Sequence, residues 1–139
     1  MVAVRHMTDE DEAGVIALLR RVFPNDPLHN EPSRMLAEKR RVDDLVFVAE
    51  TAGQLIGACM AGYDGHRGWL YSVAVSPDHR RTGAGTELVK FAIATLRKRG
   101  CQKVNLQIRA ENAAVHAFYQ SLGFAVEDRL SMGQRFDSQ

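Results

Sequence analysis

From residue 84 to 99, small and apolar side chains return at positions 85, 88, 89, 92, 93 and 96, one face of a helix, and a strand-like run lies on either side. The run before it, 69–75, is rich in β-branched and aromatic residues, and the run after it, 104–109, alternates. A strand–helix–strand unit normally makes its two strands parallel, with a right-handed crossover. This unit argues against an all-helical or purely antiparallel fold. Gly100 ends the helix, and Arg97, Lys98 and Arg99 occupy its last turn, where the helix dipole favours positive charge.

The chain ahead of the crossover reads as a meander. Segments 45–51 and 54–63 have strand composition, with turn signals at Ala52-Gly53 and Asp64-Gly65. The strand 69–75 then returns antiparallel. At the N-terminus, 2–7 is a first strand. Thr8 and Asp11 make a capping-box-like start for a helix over 9–23, with Val15, Leu18, Leu19 and Val22 on one face. Pro24, Pro27 and Pro32 break the chain before a short helix over 32–41. After the crossover, Asn112 caps a helix that carries Val115, Phe118 and Leu122 on one face and stops at Gly123. Segments 124–129 and 130–136 read as a closing pair of strands. The expected fold class is α/β (α+β): a mixed, mostly antiparallel sheet with a central parallel strand pair and helices on both faces. A length of 139 residues fits one domain over 1–139.

Between the strand and the helix of the crossover lies Arg80-Arg81-Thr82-Gly83-Ala84-Gly85. Two glycines one residue apart leave backbone amides uncovered, and the loop opens a helix, whose N-terminus attracts anions. It also follows the C-terminal end of a strand, where open α/β sheets bind ligands. A Walker A loop is excluded, since no Gly-Lys-Ser/Thr occurs. A dinucleotide fingerprint fails because Leu88 stands where a third glycine is needed, and the next strand ends in Gln107-Ile108-Arg109 without an acidic residue.

Composition narrows the partners. With 18 basic and 17 acidic residues the net charge is +1, which tells against nucleic acid. Lys39-Arg40-Arg41 and Arg97-Lys98-Arg99 read as solvated helix surface. No apolar run approaches the roughly 18 residues needed to span a bilayer, and the N-terminus does not read as a signal peptide. No membrane partner is expected. Cys59 and Cys101 read as reduced, buried thiols of a cytoplasmic protein. The histidines at 6, 29, 66, 79 and 116 lack metal-ligand spacing, and no metal is expected.

The pattern Arg-x-x-Gly-x-Gly at Arg80, Gly83 and Gly85 resembles the acetyl-CoA pyrophosphate loop of the GNAT N-acetyltransferases. Ser72-Val73-Ala74-Val75-Ser76-Pro77 is similar to the strand before that loop. Asn112, Phe118-Tyr119 and Leu122-Gly123-Phe124 match the family's later motif in order and spacing. The resemblance implies acetyl-CoA as co-substrate. It gives the backbone of Val73, Ala74 and Val75 to the pantetheine arm, and the amides of Arg81, Thr82, Gly83, Ala84, Gly85 and Thr86 to the pyrophosphate. Arg80 and Arg81 add charge near the ADP end, and Asn112 touches the cofactor arm or serves as an N-cap.

Acetyl transfer to an amine needs a neutral amine, a polarised thioester carbonyl and a proton for the leaving thiolate. The resemblance assigns the carbonyl to a β-strand amide, that of Val73, and the proton to Tyr119. An ordinary tyrosine, with a pKa near 10, is protonated at neutral pH. Tyr119 lies two helical turns after Asn112. The base is less clear-cut. The stretch 106–114 is similar to the ribosomal-protein N-terminal acetyltransferases, which carry a glutamate base where this chain has Gln107. An amide takes no proton, which tells against a peptide N-terminus as acceptor. Asp64, His66 and Tyr71, in or beside a hairpin similar to that of a small bacterial subgroup, are candidate proton relays; a plain polar turn is the alternative. His116 reads as surface. The acceptor is a small amine or a peptide N-terminus, and a homodimer stays open. A CoA-binding sensor without turnover, and an anion-binding regulator, are the competing classes.

Overall fold

Four antiparallel-compatible strands and one crossover strand make a single sheet in the computed structural model, which describes residues 1–25, 27 and 30–136. The strands are β1 (Ala3–His6), β2 (Val46–Thr51), β3 (Gln54–Tyr63), β4 (Gly68–Val75) and β5 (Val104–Asn105), in sheet order β1-β2-β3-β4-β5. The first three neighbouring pairs are antiparallel, and β4 pairs with β5 in parallel. Four α-helices accompany them: α1 (Glu12–Val22), α2 (Pro32–Val42), α3 (Ala84–Lys98) and α4 (Ala113–Ser121). The chain forms two compact units, 1–107 and 108–139.

In the first unit the period-2 pattern of the strands sends alternate residues to opposite faces. Val46, Val48, Ala58, Met60 and Ala74 meet Val15, Leu18 and Leu19 of α1 and Leu36 of α2. On the other face the Cys59 thiol meets the Leu88 carbonyl of α3, and His6, Phe47 and Phe91 stack edge to face with centroids 5.0–5.7 Å apart. Helices therefore cover both faces. The N-terminal entry follows the capping logic: the Thr8 amide donates to the Asp11 carboxylate at 2.8 Å. Residues Asp9–Asp11 form a 3-10 turn and the α-helix begins only at Glu12. Asp11 also accepts from both terminal nitrogens of Arg5, Nη1 and Nη2, at 2.7 and 3.0 Å, which holds its carboxyl down at about 2.

In the second unit Asn112 caps α4, its Oδ1 accepting the Val115 amide at 3.2 Å. Two expectations fail. The strand predicted over 104–109 pairs only at Val104 and Asn105. The two closing strands predicted over 124–136 do not form, and Val126, Leu130, Met132 and Phe136 are exposed. Alternation alone does not make a strand; its backbone groups need a partner ladder, and the sheet of the described residues does not extend to this segment. The parallel pair consequently stands at the edge of the described sheet and not at its centre.

Candidate functional site

β4 carries one residue too many for its neighbour. Ala58 faces Ala74 and Met60 faces Tyr71, so Ser72 and Val73 together oppose Cys59. This β-bulge interrupts the ladder and bends the strand. Ser72 takes φ +52°, a left-handed value that a side chain rarely tolerates. On the opposite edge, β5 accompanies β4 only at Gly68 and Trp69. From Leu70 to Val75 that edge has no strand partner among the described residues, leaving main-chain groups that an extended ligand can address.

The loop after β4 is held from two sides. Arg21 of α1 donates to Asp78 at 3.2 Å and to the Ser76 hydroxyl at 3.4 Å. Thr82 Oγ1 donates to the His79 carbonyl at 2.7 Å. Arg81 at φ +69° and Gly83 at φ +87° flank Thr82, and alternation of this kind turns successive amides into one concavity. Gly83 has open space where a Cβ would stand. The Ala84 amide reaches Thr82 Oγ1 at 3.3 Å, and the Glu87 amide the Gly83 carbonyl at 3.0 Å. The amides of Gly85 and Thr86, in the first turn of α3, find no acceptor among the described residues. Arg80, Arg81 and Thr82 are exposed. An anionic group thus fits this loop: open amides and the dipole of a four-turn helix meet there, and the loop itself carries Arg80 and Arg81.

Beside β4 lies an open groove of about 760 Å³. Its wall brings together Tyr71, Asp64 and Gln107, all singled out by the sequence, but not His66. Asp64 proves to be a turn former. Its Oδ1 accepts the amides of Arg67 at 2.7 Å and His66 at 2.8 Å, and these hold its carboxyl below the usual range. His66 is exposed in the same turn. His116 is half-buried, not a surface residue. His29 lies outside the described residues.

The groove also holds a pair that sequence reasoning missed. Lys39, read as solvated helix surface, has a side chain only 7% exposed; its ammonium lies 2.7 Å from Asp43 and 5.7 Å from the centre of the Tyr71 ring. The i, i+4 spacing of Lys39 and Asp43 was a usable signal. It was masked by the basic run Lys39-Arg40-Arg41, in which only Arg41 is broadly exposed. In the second unit Tyr119 is buried, with Phe118 and Phe124 edge-on at 5.0 and 5.6 Å.

The chemistry this arrangement offers is anion capture at the start of α3, strand-like docking along β4 and a small aromatic-walled groove beside it. Cys59 adds no nucleophile, since burial pushes its thiol up to about 12. No group of three or more His, Cys, Asp or Glu side chains among the described residues could hold a metal ion, and no helix among them is long and apolar enough to cross a membrane.

The sequence model of the Acetyltransferase (GNAT) family matches residues 13–124. An acetyltransferase of Sodalis glossinidius is 38% identical over 134 residues, covering 95% of this chain and 94% of the relative. Among solved structures, the ribosomal-protein-S18-alanine N-acetyltransferase from Escherichia coli aligns with a TM-score of 0.75 at 27% identity, over 88% of this chain and 77% of that one. AAC(6')-Iy, in complex with a bisubstrate analog of coenzyme A and acetylneamine, aligns with a TM-score of 0.79 at 20% identity, over 97% and 98% of the two chains, a likeness of fold alone.

Proposed function

The chain belongs to the GNAT acetyltransferase family and is an N-acetyltransferase, and from that premise we propose that it moves an acetyl group from acetyl-CoA directly to a primary amine, with Tyr119 as general acid. The observation that carries this reading is the loop at the start of α3, where left-handed residues and unpaired amides make a seat for a diphosphate. Bound there, acetyl-CoA supplies the acetyl group as an activated thioester.

The roles of this chain's residues follow. Amides from Arg81 to Thr86 hold the diphosphate, and Arg80 and Arg81 add positive charge. Val73, Ala74 and Val75 dock the pantetheine arm along the unpartnered edge of β4, as an added strand would. The bulge at Ser72 and Val73 supports the Val73 amide as donor to the carbonyl oxygen, because the ladder is interrupted there. Asn112 caps α4 and contributes to the cofactor side. Tyr119 returns a proton to the departing sulfur. The match over 13–124 supports reading both compact units as parts of one catalytic domain. Two buried, unpaired thiols support a cytoplasmic setting.

The acceptor is placed in the groove beside β4. Neighbours of this fold act on a ribosomal-protein alanine or an aminoglycoside by their names. A small amine is the better fit here, since Gln107 offers no base and the groove is of small-molecule size.

The test has two stages. Acetyl-CoA at a hundredfold excess over its Kd is expected to raise Tm by roughly 8 °C. An equal rise with inorganic phosphate would remove coenzyme A from the reading. Tyr119→Phe is expected to lower kcat by about a hundredfold or more with KM little changed. An unchanged kcat would take Tyr119 out of the mechanism.

A further inference from the structure

Three charged side chains line the groove beside β4: Lys39 and Asp43 from α2 and its end, and Asp64 from the turn that joins β3 to β4. The first two cancel. Asp43 grips the Lys39 ammonium with both oxygens, at 2.7 and 2.9 Å. Asp64 is left with its charge. The two turn amides take its Oδ1, while Oδ2 meets no donor among the described residues, and the residue is exposed. Those amides also fix the carboxylate in place and favour its ionised form. A cation entering the groove therefore finds one open anionic partner among the described residues, and it stands at the hairpin end.

The two ends of the groove are set by the strand register. Tyr63, the residue before Asp64, faces Gly68, and the bulge at Ser72 and Val73 interrupts the ladder at the other end. From Gly68 to Val73 the strand runs about 17 Å. Contacts of about 3 Å at each end leave roughly 11 Å between a nitrogen acetylated beside Val73 and a cation on Asp64. Between them the lining is Trp69, Leu70, Tyr63 and Tyr71, a surface for methylene groups rather than for the hydroxyls of a sugar. The Lys39 ammonium stands level with this middle stretch: a Cβ on Gly62, the partner of Trp69, would lie 3.9 Å from it, and the Tyr71 ring centre is 5.7 Å away. A second cation that stops there lies beside a like charge, whereas one that reaches Asp64 meets an opposite one.

We propose that the acceptor is an extended alkyl diamine or polyamine: one primary amine is acetylated beside Val73, and a second ammonium pairs with Asp64. Asp64 is then a specificity-determining residue that takes no part in the bond changes. The inference rests on the acetyl-transfer reading of the same site and adds to it the acceptor's class. Asp64→Asn isolates the charge, because the amide keeps Oδ1 for the two turn amides and loses only the negative end. The carboxylate is exposed, so the pairing favours a long diamine by about fivefold and weakens with salt.

The test measures kcat/KM by thiol release at pH 8 and saturating acetyl-CoA for 1,4-diaminobutane, 1,8-diaminooctane and 8-aminooctan-1-ol. The last carries a hydroxyl where the second ammonium would be. Extended, the eight-carbon diamine spans about 11 Å and the four-carbon one about 6 Å. Two equivalent ends double a diamine's rate by number alone, so the octane diamine is expected to exceed the aminoalcohol by about tenfold, and to exceed the butane diamine as well. In Asp64→Asn the ratio of octane diamine to aminoalcohol is expected to fall to about two. Raising salt from about 20 mM to about 0.5 M is expected to lower the parent's ratio in the same direction. A parent ratio near two overturns the proposal, and so does a ratio that Asp64→Asn leaves unchanged. If Asp64→Asn does not fold, the salt series decides, and a ratio indifferent to salt overturns the proposal. Calorimetry of the same amines with protein saturated in coenzyme A reads docking where thiol release is absent; equal affinities for the octane diamine and the aminoalcohol, or no binding of either, overturn it there. A missing acetyl-CoA Tm rise overturns the transfer reading itself, whereas a Tm rise with a ratio near two removes only the diamine.

Discussion

Ser72 is the residue on which the open edge of β4 turns. Its φ of +52° costs a non-glycine residue roughly 1–2 kcal/mol. Gly83, at φ +87°, reaches the same region without that cost, and for this reason its turn was legible in the sequence while that of Ser72 was not. A serine in a strand-like run carries no mark of a bulge. A β-branched residue is the least tolerant of positive φ, so Ser72→Val is expected to destabilise the protein by about 2 kcal/mol in urea denaturation, with Ser72→Gly close to the parent. A Ser72→Val protein as stable as the parent would mean that the strand does not hold this conformation. Lys39 shows the same limit from another direction. Its neighbours in the chain are basic and solvated, and its own burial comes from Asp43 and Tyr71 on the groove wall.

At the scale of elements, the crossover was the most legible feature and its second strand the least. A 3.6-residue period over 84–98 depends only on local side-chain order, and α3 forms where that period runs. The extent of β5 depends on how far β4 stays beside it. Contact there rests on Gly68, where a Cβ would lie 2.6 Å from Cys101 Sγ, 3.2 Å from Leu96 Cδ1 and 3.3 Å from Val104 Cγ2. Gly68→Ala is therefore expected to cost about 1–3 kcal/mol by overpacking, read as a lower urea midpoint with unchanged slope. Shortening the neighbour, in Gly68→Ala, Cys101→Gly, is expected to recover part of the loss beyond what Cys101→Gly alone predicts. Strict additivity of the two changes would show that the clash is not the cause.

The molecule as a whole responds to acid through carboxylates paired in the fold. Asp11 is the clearest case, held at about 2 against an ordinary 3.8 by Arg5. A depressed carboxylate contributes stability that is fully present above about pH 4 and is lost as pH falls through 2. The shift corresponds to at most about 2.5 kcal/mol, and Arg5 is itself 39% exposed, so solvent screening makes the contribution smaller. Asp11→Asn is expected to lower stability at pH 7 and to converge with the parent by pH 2 in acid-unfolding curves; a gap that persists at pH 2 would assign the loss to capping alone. The crossover helix, the glycine turn at its start and the family were legible in the sequence itself, because periods of 2 and 3.6 residues and the conformational freedom of glycine act over a few neighbouring positions. Where β4 and β5 part, that Ser72 is bent, that residues 124–136 stay out of the sheet, and that Lys39 is buried against Asp43 beneath Tyr71 were decided only by the tertiary structure. Each depends on which distant backbone or charge comes to lie alongside, and no short stretch of chain carries that information.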